Sequence, residues 1–177
     1  MHEPPVTISM SPSKSPRLFY LSLALFCGGL LGFGLYLQFS RGLEPCPLCI
    51  FQRLAYISIL ALAVAGLIHG PRRPWLPVYS GLITLSALAG MAIAGRQVWL
   101  QHLPADQVPE CGPGLDYMLQ VFPLSQTLKM VFTGSGECAE VHWTFLTLSI
   151  AEWSLICFTL VTAAALVHTF KGGRQNV

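Results

Sequence analysis

Four apolar runs, each about as long as a membrane is thick, occupy more than half of this 177-residue chain. They cover about residues 18–39, 48–68, 76–100 and 146–170. A helix needs about 20 apolar residues to cross roughly 30 Å of hydrocarbon. In lipid each backbone N–H and C=O must be satisfied within its own segment, so runs of this length are helices. Charged residues make up only 10% of the chain and apolar ones 53%, against roughly 25% charged in soluble domains. The chain therefore reads as an all-α integral membrane protein whose partner is the lipid bilayer. One four-span domain over 1–177 fills it, without room for a separate soluble unit. No nucleic-acid partner is expected.

The interruptions set the boundaries. Lys14 and Arg17 precede the first run and Arg41-Gly42 follows it, with no charge between. A cleaved signal peptide would be shorter and would end in a small-x-small site, so this run is read as retained. Its Gly28-x-x-x-Gly32 spacing would let a neighbouring helix approach closely. Arg72, Arg73 and three prolines or glycines in His69–Pro74 stop the second run. Short connections make successive helices antiparallel, so the expected architecture is an antiparallel four-transmembrane-helix bundle. Only the third connection, about 101–145, is long. In it Leu115, Met118, Leu119 and Phe122 recur at helical spacing, which predicts a short amphipathic helix at the membrane surface.

Positive charge gives the orientation. Lys14, Arg17, Arg72, Arg73, Lys171 and Arg174, six of the ten basic residues, fall on one side of a four-span arrangement. That side is cytoplasmic by the positive-inside rule, which puts both termini there. The long loop lies opposite; it carries Asp106, Glu110, Asp116, Glu137 and Glu140 but only one basic residue, Lys129. In a bacterium the opposite side is the periplasm, where disulfides persist.

Four cysteines fall on that outer side: Cys46 and Cys49 where the second run begins, and Cys111 and Cys138 in the long loop. Two intervening residues is the spacing at which one helical turn brings both sulfurs together, and a helix N-terminus favours the thiolate. The spacing also suits zinc. A closed zinc site needs four ligands; no His lies near Cys46 and Cys49, and Cys111 and Cys138 are 27 residues apart, so no metal is expected. Arg53, four residues after Cys49, lies on the same helical face, where a guanidinium can support a thiolate or a reduced oxygen. Cys27 and Cys157 lie deep in apolar runs and are read as packing residues.

These landmarks resemble the bacterial DsbB family of membrane disulfide-bond formation proteins. The resemblance rests on Glu44-Pro45-Cys46-Pro47-Leu48-Cys49-Ile50-Phe51-Gln52-Arg53, then Gly95-x-Gln97 with His102, Glu110-Cys111, and Gly136-Glu137-Cys138-Ala139-Glu140 with Trp143 and Phe145. It covers nearly the whole chain. It implies a thiol:quinone oxidoreductase of the bacterial inner membrane that reoxidises a periplasmic DsbA-like dithiol oxidase and reduces ubiquinone or menaquinone. By that resemblance Cys111 would form the mixed disulfide with the partner and Cys138 would resolve it. Cys46 would pair transiently with Cys138, and Cys49 would face the quinone, with Arg53, Gln97 and His102 at its headgroup. Gln52 departs from the family pattern, where a familiar member carries an acidic residue. Vitamin K epoxide reductase-like enzymes also couple a CxxC to quinones, but theirs lies late in the bundle. The competing non-enzymatic reading is a tetraspan scaffold with static Cys46–Cys49 and Cys111–Cys138 disulfides.

Overall fold

The computed structural model describes residues 16–71, 75–104, 106–109, 115–134, 136–141 and 143–174. Three long helices, α1 (Pro16–Arg41), α2 (Pro47–His69) and α3 (Trp75–Gln101), come first. The long connection holds α4 (Leu115–Val121), α5 (Leu124–Thr133) and α6 (Gly136–Ala139). A two-stranded ribbon, β1 (Thr144–Phe145) and β2 (Leu148–Ser149), leads into the last long helix, α7 (Ile150–Arg174). All four long helices are long and apolar enough to cross a membrane. The protein is an all-α membrane protein.

Helix ends follow local chemistry. Pro47 opens α2, where its missing N–H leaves no bond unmade. Gly70 closes that helix in the left-handed conformation, φ 56°, with its N–H on the Gly66 carbonyl at 2.9 Å. The start of α7 differs from the sequence expectation of about 146. Phe145 pairs with Leu148 in an antiparallel hairpin whose tip residues, Leu146 and Thr147, have φ of 50° and 69°. The helix begins only at Ile150, behind a reciprocal cap: Glu152 Oε2 accepts from Ser149 N at 2.7 Å, and Ser149 Oγ accepts from Glu152 N at 3.2 Å.

The bundle packs in chain order, α1 on α2, α2 on α3 and α3 on α7. Its core joins Tyr20, Cys27, Tyr56, Ile59, Ile83, Ala87, Cys157 and Phe158. Close approach depends on Gly66, where a Cβ would lie 2.9 Å from the Tyr20 ring, and on Gly90, where it would lie 2.4 Å from Phe158. The expected close approach at Gly28 and Gly32 does not occur within the chain: no described atom would lie within 4 Å of a Cβ at either. Large apolar side chains such as Phe39, Ile68 and Leu85 point outward, as lipid-facing residues do.

A second, smaller apolar cluster lies above the bundle. Leu48 from α2, Leu100 from α3, Met118 from α4, Val131 from α5 and Cys138 from α6 are all buried there. The amphipathic segment expected near Leu115 is thus present as α4, but Met118 faces the protein, and α5 and α6 complete a cap over the start of α2.

Candidate active site

Cys46 is the N-cap of α2, and its sulfur accepts the backbone N–H of Cys49 at 3.3 Å. That bond occupies one of the donors a helix start leaves free. It also draws the two side chains together: their sulfurs lie 2.7 Å apart, a small movement from the about 2.05 Å of a disulfide bond.

A buried pair of amides supports these sulfurs. Gln97 comes from the outer end of α3 and Gln52 from the first turns of α2, and they are only 3% and 4% exposed. Gln52 Nε2 donates to Gln97 Oε1 at 2.7 Å. The Gln97 amide nitrogen then faces both sulfurs, at 3.3 Å from Cys46 Sγ and 3.3 Å from Cys49 Sγ. Gln97 Oε1 also lies 3.6 Å from the Cys49 thiol.

Cys138 reaches the same place from the long loop. It is fully buried on α6, and its hydrogen bond with Cys46 is the largest influence on the Cys46 thiol. That bond, the bond to Cys49 and burial together push the Cys46 thiol well above the ordinary cysteine range. Two features hold the loop down. Arg96 donates to the last carbonyls of α5, to Phe132 O at 3.2 Å and Thr133 O at 2.8 Å, while its guanidinium sits 4.2 Å over the Trp99 ring. Gly134 then turns at φ 87°, where a Cβ would meet Leu100 at 2.5 Å. The Gly134 position is fixed by packing.

Beneath the cysteines lies a cavity of about 1230 Å³. Leu30, Leu31, Phe33 and Leu37 of α1 form one wall, and Trp153, Ser154 and Cys157 of α7 another. Cys46, Cys49, Gln52, Arg53 and Gln97 also line it. Arg53 is tied to α1, its Nη1 donating to Gln38 Oε1 at 2.6 Å and its Nη2 to Gly34 O at 3.2 Å. Trp143, Phe145 and Trp153 close the outer side, with Trp143 stacked on Phe145 at 6.1 Å and Trp153 Nε1 donating to Phe145 O at 3.0 Å.

Residues 16–168 match the family of disulfide bond formation protein DsbB. Over 153 residues the chain is 48% identical to disulfide bond formation protein B of Azoarcus sp. (strain BH72), covering 86% of this chain and 92% of that one. It is 51% identical to the protein of that name from Hahella chejuensis over 147 residues, 83% of this chain and 89% of that one. With the Methylococcus capsulatus protein it shares 49% over 160 residues, 90% and 98% of the two chains. The chain belongs to the DsbB family. It is a membrane thiol oxidoreductase of disulfide-bond formation.

In this DsbB-family chain the structure brings together Cys46, Cys49, Cys138, Arg53 and Gln97. Cys111 and Glu110 lie outside the described residues. His102 stands apart from the cavity lining: its ring is 66% exposed, Nδ1 donates to Val98 O at 2.8 Å, and Nε2 lies 3.9 Å from Glu152 Oε1. Cys27 and Cys157 are buried in the bundle core, and Cys157 also reaches the cavity wall. Sequence reasoning passed over Gln38 and Arg96, and took Gln52 only as a departure from the family pattern. The signal for Gln52 was an amide inside an apolar run, one residue before an arginine; a polar side chain in a span needs a partner.

Proposed function

We propose that this DsbB-family protein reoxidises a periplasmic DsbA-like dithiol oxidase and passes the two electrons to a membrane quinone, either ubiquinone or menaquinone. It lies in the bacterial inner membrane with both termini cytoplasmic. The observation that carries this reading is the contact of Cys46 with a loop cysteine, Cys138, while its partner Cys49 lines a cavity of about 1230 Å³. A thiol relay between a soluble protein and a lipid-phase acceptor requires that juxtaposition.

The sequence of exchanges balances as follows. A thiolate of the reduced partner attacks Cys111, breaking a Cys111–Cys138 disulfide and releasing Cys138 as thiolate. Cys138 attacks Cys46, the Cys46–Cys49 bond breaks, and its electron pair remains on Cys49. The partner's second thiol then attacks the partner sulfur bonded to Cys111, closing the partner disulfide and releasing Cys111 as thiolate. The Cys111 thiolate attacks Cys138, re-forming the loop disulfide and releasing Cys46. The net change oxidises the partner dithiol and reduces the Cys46–Cys49 pair.

The cavity suits a quinone. Arg53 supplies donors for a carbonyl oxygen, and Leu30, Leu31, Phe33 and Leu37 offer an apolar wall for an isoprenoid tail. When bound, a quinone supplies a two-electron, two-proton acceptor for the Cys46–Cys49 dithiol. The chain's own task is to hold Cys49 at that wall, with the Trp143, Phe145 and Trp153 rings lining the outer side of the cavity.

Anaerobic stopped-flow mixing of the purified protein with a reduced DsbA-type dithiol and a soluble ubiquinone or menaquinone analogue tests this. Stoichiometric quinone loss is expected, abolished by Cys49→Ser. With Cys111→Ser the reduced partner should remain unoxidised. No quinone reduction by correctly folded wild type with either analogue refutes the proposal.

A further inference from the structure

We infer that Gln97 is a catalytic residue that stabilises the sulfur charge left when the Cys46–Cys49 bond is broken, and that Gln52 is the positioning residue that orients it. The inference rests on the reading of Cys46 and Cys49 as a working redox pair. It gives Gln97 a role at the sulfurs, distinct from holding a headgroup.

The geometry follows from one constraint on an amide. A glutamine side chain has an accepting oxygen at one corner and a donating nitrogen at the other, so whatever binds one corner decides where the other points. Gln52 Nε2 donates to Gln97 Oε1 at 2.7 Å, with both side chains buried, so the Gln97 nitrogen faces the two sulfurs at 3.3 Å each. When Cys138 attacks Cys46, the bond between Cys46 and Cys49 breaks and its electron pair stays on Cys49. A donor already aimed at that sulfur stabilises the new charge without reorganising, as preorganised donors do in oxyanion sites. Hydrogen bonds to an ionised acceptor are roughly twice as strong as neutral ones. The Gln97 N–H therefore favours the reduced pair over the disulfide.

The two amides come from different helices. Gln52 is three residues after Cys49 on α2, while Gln97 is on α3. The orientation of the donor is thus set by the α2–α3 seam, the same seam that places the CxxC turn. An apolar residue of like size at 97 leaves the buried Gln52 nitrogen without the acceptor it has here, and one at 52 removes the donor that orients Gln97.

The test is the thiol–disulfide equilibrium of the full-length protein in detergent with glutathione buffers, read by differential alkylation and mass spectrometry of the peptide carrying Cys46 and Cys49. It requires neither quinone nor partner protein. Gln97→Leu should shift the equilibrium at pH 8 about tenfold toward the disulfide, which is about 30 mV for this two-electron couple. Gln97→Glu, close in shape but bringing negative charge and no donor when ionised, should shift it further. Gln52→Met keeps Gln97 and should shift it by about threefold. The shifts should shrink as the pH falls and the released sulfur takes up a proton, which lessens its need of a donor; a merely structural role would leave them unchanged with pH. Should Gln97→Leu fail to fold, Gln97→Glu and Gln52→Met carry the same reading. Wild-type equilibria in all folded variants overturn the inference. A wild-type pair that never exchanges with glutathione overturns instead the redox reading on which it rests.

Discussion

Gly90→Ala is expected to destabilise the bundle through a single contact. A Cβ at residue 90 would stand 2.4 Å from both Cε1 and Cζ of Phe158 and 2.8 Å from its Cδ1. Carbon atoms pack best at about 3.5–4.0 Å, so the overlap is about 1 Å or more on two ring atoms. The ring has little freedom to move. Phe158 is fully buried and stacks on Tyr56 at 4.1 Å and 15°, and the Tyr56 hydroxyl donates to Ser154 O at 3.4 Å. Overpacking costs about 1–3 kcal/mol, and a ring held on its other face belongs at the upper end of that range. Helix propensity offsets about 1 kcal/mol, since alanine is the better helix former. The net loss is about 2 kcal/mol.

The assay is unfolding in mixed micelles followed by circular dichroism, for Gly90→Ala, Phe158→Leu and the double variant. Leucine lacks the ring atoms that the new methyl would strike. The double variant should therefore be more stable than the sum of the two losses predicts, with a coupling of up to about 3 kcal/mol, the clash that leucine relieves, within the range that contacting residues show. A wild-type stability for Gly90→Ala, or strictly additive losses in the double variant, refutes the reasoning. Either result would mean that α3 and α7 relax apart at Gly90 at little cost.

Arg53→Met should raise the KM for quinone by about tenfold or more, the worth of one hydrogen bond from a charged donor at about 1.5–3 kcal/mol, while leaving the rate of partner exchange near wild type; steady-state kinetics with each substrate varied in turn measures both. The Cys46 thiol, raised by its bonds to Cys138 and Cys49, stays protonated at pH values where an ordinary cysteine ionises. Iodoacetamide alkylation of Cys46 in the reduced protein should therefore be slow at neutral pH and rise only above the usual thiol range near pH 8.5; a midpoint at or below that value in peptide-resolved alkylation rules the assignment out. Arg96→Leu removes the donors on Phe132 O and Thr133 O, and hydrogen–deuterium exchange across 124–134 should speed severalfold because an exposed charged bond is worth about 1 kcal/mol.

The four spans were legible because lipid leaves a chain few alternatives, and the helices begin and end within four residues of the places that proline, glycine and arginine marked. The displacement at the start of α7 came from a signal present but overridden. Ser149 and Glu152 stand three apart in capping-box register, yet the apolar residues Phe145, Leu146 and Leu148 made the run look continuous. The CxxC turn was legible in the same way, since its geometry is local. The contacts of Gln97 and Arg53 were not. Both residues were placed near the outer ends of their helices, but their contacts are made to other helices 15 to 51 residues away in sequence, and a spacing rule carries no information about rotation across a seam. His102 shows the reverse: five residues beyond Gln97, it has left α3 and turns toward Glu152.

The start of α2 is where two solvents meet on a single turn of helix. Cys46 lies just outside the span, against the loop that on the proposed mechanism exchanges with a water-soluble protein; Cys49 lies just inside it, on the wall of the cavity. On the proposed mechanism the electron pair crosses from one phase to the other by breaking one sulfur–sulfur bond, over one helical turn. That arrangement places a cost on the buried end. Cys49 is half-buried on the cavity wall, and an isolated charge there is far more costly than a hydrogen-bonded one. A donor already in place meets that charge without reorganisation. Gln97 is the amide so placed, and Gln52 is its anchor. On this reading the Gln97 amide meets the thiolate at Cys49, the bond from the Cys49 backbone N–H holds Cys46 at the helix start, and Arg53, bonded to α1, lines the same cavity.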